Sequence, residues 1–241
     1  MTQDLQGKTA VVTGGSKGIG YAIADALAAA GCNVMISARH EDEVQHAART
    51  ISDRHPGTVA GMVCDVRKHE DVRQMIAAAV ARFGRLDVLV NNAGVGKFGP
   101  MGELTPDDWH QVIETNLDGV FYCCHEAIPH LRKRDDSWII NIASLAGKNP
   151  FAGGAAYNAS KFALVGFSEA LMLDVRQLGI RVNYIMPGSV ATHFNDHTPN
   201  ADDAWKIQPE DVAELVMTLV RFPSRSLPSR IEIRPTKPPR K

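Results

Sequence analysis

Three residues in the middle of the chain have the types and spacing of an acid–base site. Tyr157 and Lys161 stand four apart in an Ala-rich segment that reads as a helix, so phenol and ammonium share one face, one turn apart. An ammonium beside a phenol favours the phenolate and is expected to draw the tyrosine pKa from about 10 towards neutrality. Such a phenol can give a proton to a carbonyl oxygen or take one from an alcohol. Ser144 follows the apolar run 138–143, which reads as a buried strand, and can hydrogen-bond the same oxygen. Tyr-x-x-x-Lys alone is a weak signal, because two such residues on a helix are commonly a solvated pair. The surrounding chain decides its weight.

Strands and helices that could carry these groups alternate along the whole sequence. Strands are expected at 8–13, 33–38, 58–64, 86–91, 138–143, 181–185 and 231–234, and helices at 19–30, 41–54, 70–83, 107–132, through 157–178 and at 210–220. The strands are continuous Val/Ile-rich runs rather than alternating patterns, which argues for a parallel sheet covered on both faces. The expected fold is α/β: one doubly wound, Rossmann-like domain of about seven strands over residues 1–241, with 235–241 as a flexible basic tail. Ligands of such sheets bind beyond the carboxyl ends of the strands, where every motif here falls.

Composition sets further bounds. Of 241 residues, 44% are hydrophobic and 22% charged, enough for a packed core. A net charge of −1 gives no general reason to expect nucleic acid or an anionic membrane as partner. Cys32, Cys64, Cys123 and Cys124 form no C-x-x-C pair and read as buried thiols. No metal-ligand set stands out. With no signal-peptide pattern and no uncharged run of membrane-spanning length, the expected setting is cytoplasmic.

Residues 13–20 read T-G-G-S-K-G-I-G, between the first strand and the first helix. Gly14, Gly18 and Gly20 allow a tight turn, close backbone approach to a phosphate and close helix–strand packing, and the helix N-terminus offers N–H groups to a pyrophosphate. Ser16, Lys17 and Ile19 belong to the same turn. After the second strand comes Ser37-Ala38-Arg39, where NAD-binding chains carry an acid. Arg39, with Lys17, can bind a ribose 2′-phosphate, so NADP(H) is favoured over NAD(H), unless both cations are simply solvated. Asp65, followed by Val66, can accept from an adenine amino group or instead cap the next helix.

These motifs together resemble the short-chain dehydrogenase/reductase family over nearly the whole chain. The glycine turn, Asn91-Asn92-Ala93-Gly94, Asn116 in E-T-N-L-D-G, the Ser144/Tyr157/Lys161 set and Pro187-Gly188 followed by Val190 and Thr192 occur in that family's order. The resemblance implies roles. Tyr157 would be the general acid/base and Lys161 would bind the nicotinamide ribose and depress the tyrosine pKa. Ser144 would polarise the substrate carbonyl, and the Asn116 main chain would hold a relay water. Asn91, Ala93 and Gly94 would line the adenosine ribose, and Pro187, Gly188, Val190 and Thr192 the nicotinamide end. The implied function is an NADP(H)-dependent oxidoreductase interconverting a carbonyl and a secondary alcohol, similar to 3-oxoacyl-acyl-carrier-protein reductases. An NAD-dependent alcohol, sugar or steroid dehydrogenase and a non-catalytic NADP-binding scaffold are the alternatives.

Lys97, Phe98, His193 and Phe194 fall in loops on the substrate side. The segment 192–209 is short and polar, a modest mobile lid. Arg132-Lys133-Arg134 complements a helix dipole or docks an acidic carrier. The two long helices carry surplus apolar surface, and the resemblance implies a homotetramer, with a dimer as alternative.

Overall fold

Seven Val/Ile-rich runs pair in parallel, and a computed structural model describes them over residues 5–55 and 59–239. The strands are β1 (Thr9–Thr13), β2 (Asn33–Ala38), β3 (Val59–Val63), β4 (Val88–Asn91), β5 (Ser137–Ile142), β6 (Ile180–Pro187) and β7 (Arg230–Ile233), in the order β3-β2-β1-β4-β5-β6-β7. The expected third strand begins at Thr58, outside the described residues, as are Arg240 and Lys241 of the expected tail.

Neighbouring strand residues point to opposite faces, and each face meets helices. On β1, Ala10 and Val12 enter one core and Val11 the other; on β5, Trp138, Ile140 and Ile142 oppose Ile139. This two-sided burial explains why the inner strands carry no polar alternation, unlike the edge strand β7, R-I-E-I. The first core is completed by α1 (Gly18–Ala29), α2 (Glu41–Arg54) and α7 (Pro209–Arg221). The second is completed by α3 (His69–Phe83), α5 (Gly119–Leu131) and α6 (Ala155–Val175).

The sheet reverses its winding between β2 and β4, both of which pair with β1. That switch point opens a crevice at the carboxyl edge.

The expected helix 107–132 is not one helix. It comprises α4 (Pro106–Ile113), a π-helical turn (Glu114–Asp118) and α5. In the turn the Gly119 N–H reaches back five residues to the Glu114 carbonyl. A capping box between Thr105 and Asp108 starts α4. The extra residue of the π turn has no comparable signature, and it re-aims everything beyond it.

Trp138 is the largest fully buried side chain, flanked by the Arg181 guanidinium at 4.5 Å and the Lys8 ammonium at 5.4 Å from its ring. Trp138→Ala is expected to cost about 3–5 kcal/mol, whereas Trp138→Phe, which keeps an aromatic plate and leaves a smaller cavity, should cost clearly less. Urea unfolding of both variants checks the pair; equal losses would mean that an aromatic plate alone does not suffice and that the full indole is required.

Candidate active site

The turn after β1 and the ends of β4, β5 and β6 enclose one cavity of about 1180 Å³. Its walls begin with backbone. Gly14 (φ 63°) and Gly18 (φ 59°) adopt left-handed conformations that bend the chain sharply into α1. The first turn of α1 has neither a capping side chain nor an acidic residue, so its N–H groups face the cavity end unclaimed by side chains. Gly20, expected to touch the cofactor, instead seals the turn from behind. A Cβ there would lie 2.3 Å from the Gly14 carbonyl and 2.4 Å from Asn92 Nδ2.

The turn is fastened to β4 through side chains. Thr13 Oγ1 accepts the N–H groups of Asn92 and Ala93 at 3.0 and 3.1 Å, and Asn92 Nδ2 donates to the carbonyls of Thr13 and Gly14, both at 3.0 Å. Asn92, to which the sequence pattern assigns no role, therefore ties the phosphate turn down. Asn91 does not line the cavity. Its amide points between sheet and helix, donating to Asn141 Oδ1 at 2.8 Å and to Cys124 Sγ at 3.3 Å. Adjacent residues at a strand end face opposite ways, and the ribose assignment for Asn91 falls on that parity.

Asn116, in the π turn, is fully buried. Its Oδ1 accepts the Val95 N–H at 2.8 Å, and its Nδ2 donates to the Val95 carbonyl at 2.9 Å and to Ser160 Oγ at 3.0 Å. The side chain thus clamps the loop after β4 to α6, which carries Tyr157 and Lys161. It does not itself line the cavity.

Lys161 is buried, and its Nζ donates to the Ile142 carbonyl at 3.0 Å. Burial disfavours the ammonium and draws its pKa from 10.5 down to about 8. Ser144, at the end of β5, accepts the Ala146 N–H at 3.1 Å and hydrogen-bonds the Tyr157 hydroxyl. The expected depression of the Tyr157 pKa is not found. Burial raises it above the ordinary phenol value, and the bond with Ser144 offsets only part of that rise. Lys161 lies 5.7 Å from the ring centre with its proton directed to a carbonyl, so desolvation of a phenolate outweighs the cation.

At the other end, Arg39 and Lys17 line the cavity as expected, and Glu43 joins them. Glu43 accepts from Ser16 Oγ at 3.4 Å and stands 3.8 Å from Lys17 Nζ. Asp65 and Val66 also line it. The Asp65 carboxylate is gripped by Arg67 at 2.9 and 3.1 Å, which holds its pKa below the usual range; Arg39 adds to this. Asp65 does not cap α3, whose cap is Lys68.

Ile19, Ala93, Gly94, Pro187, Gly188, Val190 and Thr192 complete the expected lining. Pro235, Pro238 and Pro239 of the tail also reach it, where composition suggested only a solvated extension. The lid is fastened rather than loosely polar. Val190 bridges Ile207 at its base, and buried Asp203 is contacted by His197 and Lys206.

These donors suit a nicotinamide dinucleotide: an unclaimed helix N-terminus, glycines where a side chain would intrude, and a hydroxyl pair beside a buried ammonium. The short chain dehydrogenase model matches residues 8–203. The chain belongs to the short chain dehydrogenase family. Being a member of it, the protein is an oxidoreductase. A 3-oxoacyl-acyl-carrier-protein reductase of Chlamydia trachomatis is 37% identical over 202 residues, covering 84% of this chain and 80% of its own. The solved structure of a metagenomic short-chain oxidoreductase with NADP is 36% identical, covering 98% of this chain and 100% of its own, at a TM-score of 0.85. That of a Brucella melitensis 3-ketoacyl-(acyl-carrier-protein) reductase with NADH is 26% identical, covering 96% and 98%, at 0.86. Among the described residues of this short chain dehydrogenase, no helix is long and apolar enough to cross a membrane.

Asn116→Ala removes both halves of the Val95 clamp from a fully buried site and is expected to cost about 2–4 kcal/mol. Denaturant unfolding measures this. A loss below about 1 kcal/mol, the worth of a single ordinary hydrogen bond, would show that the clamp does not hold the loop.

Proposed function

We propose that the protein is an NADP(H)-dependent oxidoreductase interconverting a carbonyl and a secondary alcohol, with Tyr157 as general acid and base. The observation carrying this reading is the meeting of the Ser144 and Tyr157 hydroxyls with buried Lys161 in the cavity that also holds the open α1 terminus, Lys17 and Arg39. The relative named a 3-oxoacyl reductase and the neighbour bound to NADP support it.

When bound, the nicotinamide supplies or accepts the hydride. The Gly14–Gly18 turn with Ser16 and Ile19 holds the pyrophosphate on the α1 N-terminus. Arg39 and Lys17 hold the 2′-phosphate. Asp65 and Val66 face the adenine, and Ala93 and Gly94 its ribose. Lys161 holds the nicotinamide ribose, and Pro187, Gly188, Val190 and Thr192 the nicotinamide end. Ser144 binds the substrate oxygen while Tyr157 gives it a proton. The Asn116 main chain supports the return of that proton from solvent. A raised phenol pKa keeps Tyr157 protonated at neutral pH, which suits reduction.

Glu43 favours a second reading, with NAD(H) as the dinucleotide. Its carboxylate, beside Lys17 and Ser16, could accept ribose hydroxyls, and the Brucella neighbour holds NADH. We further propose a homotetramer or dimer formed through α5 and α6, where Phe121, Phe162 and Leu173 are exposed, and a cytoplasmic setting that keeps the buried thiols reduced.

Tyr157→Phe is expected to lower turnover roughly a hundred- to ten-thousandfold while leaving NADPH affinity nearly unchanged in a fluorescence titration. Retained turnover would remove the proposed acid. Arg39→Asp should weaken NADPH far more than NADH, and an unchanged ratio would favour the NAD(H) reading.

The pH dependence follows from the same two groups. Reduction needs Tyr157 protonated and Lys161 charged, so kcat/KM should stay level at neutral pH and fall above about 8, where Lys161 loses its proton. Alcohol oxidation needs the phenolate, which burial disfavours, so it should not rise over the range in which Lys161 titrates. A reduction rate that climbs with pH would contradict this assignment.

A further inference from the structure

Most large apolar side chains of this protein are buried, yet three phenylalanines remain exposed beside the reacting hydroxyl. Phe98 comes from the loop after β4, Phe151 from the segment before α6, and Phe194 from the lid after β6. They are 42%, 48% and 37% exposed. Their rings converge. Phe98 lies 5.8 Å from Phe151 and 6.3 Å from Phe194, centre to centre. Both Phe98 and Phe194 meet the Tyr157 ring, at 5.5 and 5.6 Å and with interplanar angles of 68° and 54°. Phe151, Phe194 and Tyr157 line the cavity, and Phe98 packs against all three rings.

The backbone beneath them is cut to fit. A Cβ on Gly96 would lie 2.6 Å from Phe98 and 2.8 Å from Phe194, and one on Gly154 would lie 2.5 Å from Phe151. Three segments distant in sequence thus place rings around one point, over glycines that make the room.

The charges nearby tell against an anionic or carrier-borne substrate. The lysines lining the substrate side are engaged within the chain: Lys97 with Asp108 at 3.5 Å and Lys206 with Asp203. The basic triplet Arg132-Lys133-Arg134 precedes the amino end of β5, whereas Ser144 follows its carboxyl end. An acidic carrier docked on that triplet would face the wrong edge of the sheet.

We propose that the substrate end of the cavity binds a flat apolar ring, and that the preferred substrate is an aryl or fused-ring ketone rather than a 3-oxoacyl thioester on a carrier. This rests on the carbonyl–alcohol reading above. Stacked and edge-on contacts with Phe151 and Phe194, which Phe98 buttresses, hold the ring, and its carbonyl meets Ser144 and Tyr157. In reduction, the carbonyl carbon gains a hydride with its electron pair from the dihydronicotinamide, which is oxidised. The C=O π bond breaks, and the oxygen takes the Tyr157 proton, which solvent then replaces.

The test uses the full chain with NADPH and three carbonyls: 2-acetonaphthone, a linear methyl ketone of equal carbon number, and a 3-oxoacyl N-acetylcysteamine thioester. The aryl ketone is expected to show a kcat/KM at least about tenfold above the other two. Phe98→Leu combined with Phe194→Leu should lower that value about tenfold, mainly through KM, and lower the linear ketone's less than about threefold. Phe194→Tyr, which keeps the ring, should retain the aryl preference. Binding of 1-(2-naphthyl)ethanol, followed by quenching of Trp205 in the cavity wall, supplies a readout independent of turnover. Turnover without aryl preference, or equal losses for all three carbonyls, would overturn the ring site while leaving the reductase reading intact. Naphthyl binding that depends on the phenylalanines, with no turnover of any carbonyl, would support the ring site and sink the reductase reading. No naphthyl binding would overturn the ring site.

Discussion

A parallel sheet ends, at its carboxyl edge, in backbone groups that the neighbouring strand no longer satisfies. In this protein the side chains that satisfy them are the ones that build the cavity. Thr13 and Asn92 close the ends of β1 and β4 on each other, and Lys161 takes the last carbonyl of β5. Asn116 takes both polar groups of Val95 in the loop after β4. Without these hydrogen bonds the loops would be free to separate, and the hydroxyls of Ser144 and Tyr157 would no longer be held at one point. Scaffold and site are therefore one set of hydrogen bonds.

That arrangement has an electrostatic consequence. Lys161 sits where an ammonium is poorly solvated, and Tyr157 where a phenolate would be. Both groups are pushed towards their neutral forms by the same burial. A stability-driven sequence would place apolar residues there, and keeping a lysine and a tyrosine is a local conflict of the kind that marks functional sites. The single bond to Ile142 fixes where the ammonium stands but leaves it below the usual lysine pKa, within reach of titration near neutral pH.

The five inner strands were legible because they are buried on both faces and so read as apolar runs, each followed by a helix, whereas the edge strands β3 and β7 are partly exposed. The glycine turn was legible because its residues are needed for backbone reasons, which a sequence displays directly. What escaped was set by tertiary geometry. Asn91 and Asn92 differ only in strand parity, and the run V-L-V-N-N gives no sign of which one turns outward. The π turn inserts one residue into an otherwise ordinary helical pattern, with the result that a helix read as continuous delivers Asn116 to the loop after β4. The Tyr157 pKa went the other way because periodicity shows that Lys161 is near but not that its proton is aimed at a carbonyl. Phe98 and Phe194 could be named as substrate-side residues, yet their meeting with Phe151 depends on three loops folding together.

The two ends of the cavity are made from different material, and this bears on how the protein can vary. The dinucleotide end is built from backbone N–H groups and from glycines whose replacement would collide with the main chain, so it is tied to the fold itself. The substrate end is built from side chains on the loop after β4, the segment before α6 and the lid, none of which belongs to the sheet. A change in any of those loops can alter the ring-lined wall without touching the hydride-transfer geometry, because Ser144 stands two residues beyond β5 and Lys161 is anchored to the same strand from α6. Tyr157 is the exception: its ring contacts Phe98 and Phe194 while its hydroxyl belongs to the acid–base set. Through that one side chain the shape of the substrate wall and the desolvation of the proton donor are coupled, so a substrate seated in the cavity against Phe151 and Phe194 also excludes water from the phenol that protonates it.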